Sequence, residues 1–285
     1  MLFKTAEFFC ILFFPAVCFS QFIISGEVVD SLSKEKIAFA TIGLIAQQAG
    51  TNSNDIGLFT LKSNSNTDTL IITHVGYHPL KIALNDIKSK SKFYLNRKQV
   101  LLNDIIVKKY IHNIEANAFK HCSNNYYTSS GHYTQIAQLY NSPTENCMLA
   151  GVKICKEPNQ SIFRLRIYNI DSVNGKPGED LCDSVIEIKS HKKNVFIKLE
   201  KYKILIPNKE FFIAIEWIYI PFNENTEKKS HSLYQRYNPA ISYIEGSTSV
   251  AGKISIWHMQ YGGNWVYFDK LLHDSRLLIS AVIKY

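Results

Sequence analysis

At 285 residues the chain accommodates about two ordinary domains, and a 46% hydrophobic content supplies a core for each, which excludes intrinsic disorder. The formal charge of +8 comes from lysines dispersed among Ser, Asn and Tyr, without a basic helix or a base-stacking signature. Nucleic acid is therefore excluded as a partner, and the charges read as solvated faces.

Residues 1–20 read as a cleaved export signal. Lys4 supplies the positive end, Phe8 to Phe19 is an almost unbroken apolar run, and Cys18 and Ser20 place small residues before a cut at Gln21. Glu7 is an unusual acid beside that run. A transmembrane helix would need about twenty apolar residues, whereas the chain from Gln21 alternates like a strand. Cys18 raises a lipid-anchored alternative, but Ala16 and Val17 do not complete a lipobox. The expectation is an exported, soluble protein with no later membrane span, in the periplasm, at the cell surface or outside the cell.

Over residues 21–108 the hydrophobic period is two. Ile24, Gly26 and Val28 alternate with Ser25, Glu27 and Val29, Ala40, Ile42 and Leu44 alternate with Thr41 and Gly43, and Leu70 to Val75 is nearly continuous. Polar stretches at 30–36, 50–57, 63–68 and 85–92 separate these runs. About seven short strands with tight connections predict a β-sandwich.

The succession ISGEVVD, KIAFATIGL, NDIGLFTL and LIITHVGYHPLKIAL resembles the carboxypeptidase regulatory-like domain, a transthyretin-like sandwich found beside many exported proteins. Gly26 matches the glycine of its first strand, Asp55, Gly57 and Phe59 match its D-x-G-x-F motif, and Val75, Gly76 and Tyr77 match its V-G-Y segment. Gly57 is expected at positive φ in a turn, with Phe59 in the core. The resemblance implies folding residues rather than catalytic ones. It extends into LLNDIIV, where Leu102, Asp104, Ile105, Ile106 and Val107 are similar to the segment that follows this domain in extensions of TonB-dependent outer-membrane receptors. Too few residues remain for a receptor's plug and barrel.

Residues 109–125 read as a short helical connector, with Ile111, Ile114 and Ala118 on one face. His112 and Glu115 within it spell the H-x-x-E of zinc carboxypeptidases. The spacing is common by chance, and the residues that remain cannot form that enzyme's large α/β domain, so no catalytic zinc and no cofactor are expected. Cys122, Cys147, Cys155 and Cys182 remain after signal removal. They allow three pairings and lack a CxxC, so export favours disulfides over metal, with buried free thiols as the alternative.

Residues 126–285 are again β-rich, with strands predicted at 133–139, 147–155, 162–170, 185–188, 195–199, 211–219, 252–259 and 276–283. Phe163, Leu165 and Ile167 alternate with Arg164, Arg166 and Tyr168, predicting one buried and one polar face. The set favours a jelly-roll-like sandwich. The pieces FRLRIYNID, GKPGEDL, KLEKYKILIP and FFIAIEWI resemble a C-terminal domain that often follows the regulatory-like module in exported bacterial proteins. Gly175, Pro177 and Gly178 mark a turn, and Asp171, Glu179, Asp180 and Asp183 around it are a candidate calcium set, set against a solvated hairpin. Trp257, Tyr261 and Trp265, with Tyr267, surround Gly262 and Gly263 as a candidate ligand-contact surface on which sugar rings can stack. Core packing is the alternative for these rings.

The whole reads as an all-β, two-domain exported protein without catalysis, a binding or scaffolding module whose partner is an envelope protein or a glycan. A glycan-binding protein for nutrient capture and a cryptic hydrolase are the other readings.

Overall fold

The computed structural model describes residues 22–87, 91–99, 110–229, 232–245, 255–268 and 275–285. The export signal at 1–20 and the LLNDIIV segment lie outside the described residues. No helix among the described residues is long and apolar enough to cross a membrane.

The N-terminal unit contains β1 (Phe22–Asp30), β2 (Thr41–Leu44), β3 (Ala49–Asn52), β4 (Leu58–Ser63), β5 (Thr69–Thr73), β6 (Leu80–Ala83) and β7 (Ser91–Leu95). They form two sheets, ordered β4-β1-β7 and β3-β2-β5-β6. Strand β4 shows why the period-two reading works: Phe59, Leu61 and Ser63 are buried while Leu58, Thr60 and Lys62 face outward. Val28, Phe59, Leu61 and Phe93 from one sheet share a core with Ile42, Leu44, Leu70 and Ile72 from the other. The motif residues have the physical roles expected of them. Gly57 has φ +75°, and the Phe59 ring packs 5.5 Å from that of Phe93. At Gly26 a Cβ would lie 2.4 Å from the Phe93 ring. Gly76 turns at φ +79°, which lets the following Tyr77 donate its hydroxyl to Asp30 Oδ2 at 2.8 Å. Asp30 also accepts the Leu32 and Ser33 amides and Arg97, so one buried carboxylate ties β1 to the V-G-Y turn.

The C-terminal unit contains β8 (Asn113–Ala116), β9 (Asn125–Ser129), β10 (Tyr133–Asn141), β11 (Cys147–Cys155), β12 (Ser161–Ile170), β13 (Pro177–Asp180), β14 (Ile186–Ser190), β15 (Asn194–Lys198) and β16 (Leu205–Ile206). It continues with β17 (Glu210–Trp217), β18 (Glu224–Lys229), β19 (Ser232–Ile244), β20 (Ile256–Gln260), β21 (Trp265–Tyr267), β22 (Arg276–Leu277) and β23 (Ile279–Lys284). A seven-stranded sheet runs β13-β12-β17-β10-β20-β21 with β14 also on β12, and a five-stranded sheet runs β15-β11-β23-β8 with β16 also on β11. Their inner faces interdigitate: Phe163, Leu165, Ile213, Ile215 and Trp217 meet Leu149, Val152, Ile279 and Ile283 in one core. A third sheet, β18-β19-β22 with β9, flanks them. The architecture is all-β and sandwich-like, as the alternation implies.

One expectation is corrected. The connector is not helical: residues 113–116 form β8, in antiparallel register with β23 so that Ile114 faces Ile283. The isoleucines at i and i+3 do not make a buried helical stripe, since Ile111 is 69% and Ile114 44% exposed. Asn117 stops the strand at φ +56° and spends its amide on the Leu277 and Ile279 carbonyls. On β12 the alternation into an apolar and a polar face holds, with Phe163, Leu165 and Ile167 in the core, and the polar face is itself covered. Arg164 is only 1% exposed, because the N-terminal unit packs over that end of the sheet.

Candidate functional site

The outer face of the seven-stranded sheet follows from its register. Arg164 lies opposite Glu216 and Arg166 opposite Ala214 between β12 and β17, Gln135 stands opposite Glu216 on β10, and Tyr168 faces Asp180 on β13. Period-two geometry thus gathers two arginines, two carboxylates and an amide on one side, while the intervening Phe163, Leu165 and Ile215 go to the core. Arg164 Nη1 lies 3.3 Å from Glu216 Oε1, and Arg166 Nη1 lies 3.0 Å from Glu216 Oε2. Arg166 donates Nε at 2.9 Å and also Nη2 to Asp180 Oδ2. Two positive and two negative groups therefore compensate one another. Burial alone raises the Glu216 carboxyl, but Arg164 and Arg166 outweigh it and hold the group below its ordinary value. At Asp180 burial prevails and the carboxyl is raised, with Arg166 opposing.

The N-terminal unit closes over this row through contacts that bypass its own core. Thr41 donates its hydroxyl to Glu216 Oε1 at 3.3 Å, and Arg164 Nη2 reaches the Ala38 carbonyl at 3.3 Å. Asn52 Oδ1 accepts the Tyr219 amide at 2.7 Å, and Gln48 donates to the Tyr261 carbonyl at 3.0 Å. The Tyr261 ring occupies the space that side chains at Gly43 and Gly50 would fill, with hypothetical Cβ atoms 2.4 and 2.3 Å from it. Glycine is required at these positions because a neighbouring unit's ring lies flat on the strands.

Where the covering stops, a cleft of about 760 Å³ opens between the two units, within the usual range for small-ligand sites. Its floor is Arg166, Tyr168, Asp180 and Glu216, one wall is Thr41, Thr73 and Tyr77, and the other is Gln135, Met259 and the Tyr261–Gly263 turn. His74 also lines it. Burial first, then Arg164, lowers His74 to about 4, so its ring is neutral at pH 7 and donates Nδ1 to the Val75 carbonyl. Gln135 accepts the Tyr168 hydroxyl at 2.8 Å.

The structure divides the residues singled out from sequence. Glu179, Asp180, Asp183 and Tyr261 line the cleft. Glu179 and Asp183 are exposed at its rim, whereas Tyr261 is 1% exposed and most of its ring is taken up by the packing against Gly43 and Gly50. Asp171 stands apart, accepting the Val173 and Asn174 amides within its own turn and facing Lys176 at 3.9 Å. Among the described residues no group of three or more His, Cys, Asp or Glu is placed to hold a metal ion. Trp257 and Trp265 are half-buried on the outer sheet face over Ala137, Ala214 and Phe212. Trp265 packs edge-on to Tyr168 at 5.4 Å and Trp257 to Tyr267 at 5.2 Å. His112 faces the Tyr285 ring at 5.5 Å, while Glu115 accepts the Ser280 hydroxyl at 2.6 Å. Cys122 and Cys155 form a disulfide, and Cys147 and Cys182 are buried free thiols.

Thr41, His74, Gln135, Arg166 and Glu216 were not singled out from sequence. The available signal was the Arg-x-Arg alternation in β12 together with an acid in the otherwise apolar FFIAIEWI, since a carboxylate on a buried strand demands a cation across the sheet.

No curated protein matches the chain. Residues 24–107 match the family model of the CarboxypepD_reg-like domain, so the N-terminal sandwich is a domain of that kind.

Proposed function

We propose that this is an exported, non-catalytic binding protein of the cell envelope whose ligand enters the cleft between its two sandwiches. The observation that carries the reading is the cleft floor: Arg166 fixed by Asp180 and Glu216 before any ligand arrives. Preorganised hydrogen-bonding groups reduce the ordering cost of binding. The ionisable groups hold one another as pairs, and His74 is neutral over a wide pH range, an arrangement that favours recognition over proton transfer. The regulatory-like domain then acts as a fixed wall of the site as well as a stalk. The leader-like residues 1–20 and the Cys122–Cys155 disulfide support export to an oxidising compartment.

Thermal unfolding in the presence of fractionated envelope extract tests this reading. A ligand at about 100 times its Kd adds about 2.7 kcal/mol of stability, and one fraction should raise the midpoint of the native chain but not of Thr73→Trp, which fills the cleft. No shift with any fraction, or an equal shift in the variant, would count against it.

A further inference from the structure

We propose that the cleft binds a neutral saccharide, its hydroxyl groups bridging Arg166 and the carboxylates of Asp180 and Glu216. This rests on the binding reading above and goes on to name the ligand's chemistry.

The argument starts from what the floor has left to give. A guanidinium carries five N–H donors, and a carboxylate offers about four acceptor positions. Arg166 commits Nε and one N–H of Nη2 to Asp180 and one N–H of Nη1 to Glu216. Asp180 further accepts the Cys182 amide, and Glu216 accepts Thr41 and Arg164. Donors and acceptors thus remain side by side on groups whose charges already cancel. An ionic ligand would have to draw one of these charges away from its buried partner, which is costly. A hydroxyl donates and accepts at once and leaves the pairs intact.

The walls match the remainder of a sugar. Thr41, Thr73, Thr134 and Gln135 are polar and uncharged, while Ile71, Tyr77 and Met259 supply apolar surface for ring C–H groups. At the rim, exposed Glu179 and Asp183 outnumber the exposed Lys98, which disfavours anions. Trp265, edge-on to Tyr168 on the same face as the floor, places a fluorescent reporter next to the site.

Isothermal titration of the full chain tests the assignment. The probes are cellotetraose, maltotetraose, mannotetraose and chitotetraose, with tetragalacturonate as anion and tetralysine as cation. At least one neutral tetrasaccharide should bind, weakened by about tenfold or more in Thr73→Trp, a loss of about 1.4 kcal/mol. Its affinity should be unchanged in high salt, since no net charge is involved. Pro79→Trp, at the exposed lip, replaces Thr73→Trp should that variant not fold. Binding of only a charged probe, lost in Thr73→Trp, overturns the saccharide and leaves the cleft as the site. Neutral binding that neither Trp variant weakens overturns the cleft. Absence of binding by every probe overturns the saccharide assignment.

Discussion

Replacing Glu216 by glutamine removes the single carboxylate shared by Arg164 and Arg166. Arg164 is 1% exposed, its Nε has no hydrogen-bond partner among the described residues, and the guanidinium also reaches the Ala38 carbonyl across the junction. With Glu216 neutral, Glu187, opposite on β14, still acts on Arg164 but is exposed. Leaving a buried cation uncompensated costs about 3 to 5 kcal/mol, and the glutamine can still accept from Thr41, so the loss is one of charge rather than of shape. Replacing both partners, Arg164→Met/Glu216→Met, removes the uncompensated charge and should cost far less than the two single changes together. Urea unfolding followed by tryptophan fluorescence suits the purpose, because Trp217 adjoins Glu216 and is 1% exposed. The pH dependence has a definite sign. The folded Glu216 carboxyl lies below its ordinary 4.5, so its stabilisation is present above that value and is lost as pH falls through the folded value. A cost of under about 1 kcal/mol for Glu216→Gln, or strict additivity in the double variant, would refute the account of the junction.

His258 is 1% exposed, neither ring nitrogen has a hydrogen-bond partner among the described residues, and burial lowers its pKa to about 4. The unfolded chain takes up the proton first, so stability should fall by about 3 kcal/mol as pH drops from 6.5 towards 4. His258→Phe, in contact with Phe268 and Tyr133, should remove that part of the pH dependence, and an unchanged pH profile in calorimetry would contradict it. Gly43→Ala places a methyl against the Tyr261 ring and should destabilise by about 1 to 3 kcal/mol in urea, whereas a neutral effect would mean that the two units do not pack as described. Cys122→Ser/Cys155→Ser opens a loop spanning a separation of 33 residues and should cost about 3 to 4 kcal/mol on the chain-entropy scale. Equal denaturation midpoints for this variant and the native chain would contradict it.

The parts of the fold legible in sequence are those where local pattern and final packing agree. Cys147 to Cys155 reads as a strand and is one with the same bounds, and the D-x-G-x-F turn specifies both a positive φ and a core ring. Pattern failed where an element is short or answers to a distant partner. Ile111, Ile114 and Ala118 stand at helical spacing, but residues 113–116 are drawn into register by β23, far along the chain. The longest strand, β19, escaped notice because SLYQRYNPAISYI interrupts its apolar residues with polar ones and a proline. Half of the aromatic and acidic candidates reached the site for a reason sequence does not display. Glu179, Asp180, Asp183 and Tyr261 line the cleft because one sandwich packs on the outer face of the other. Glycines at 43 and 50, which make room for Tyr261, look like ordinary strand glycines until that contact is seen.

Hydrogen–deuterium exchange of the full chain, with and without whichever tetrasaccharide binds most tightly, tests the central claim most directly. Protection is expected at 71–79, 134–135, 166–168, 178–183 and 259–263, the segments from both sandwiches that face the cleft. Protection confined to one sandwich, or centred on the flanking sheet at 224–229 and 232–237, would contradict a ligand site at their junction.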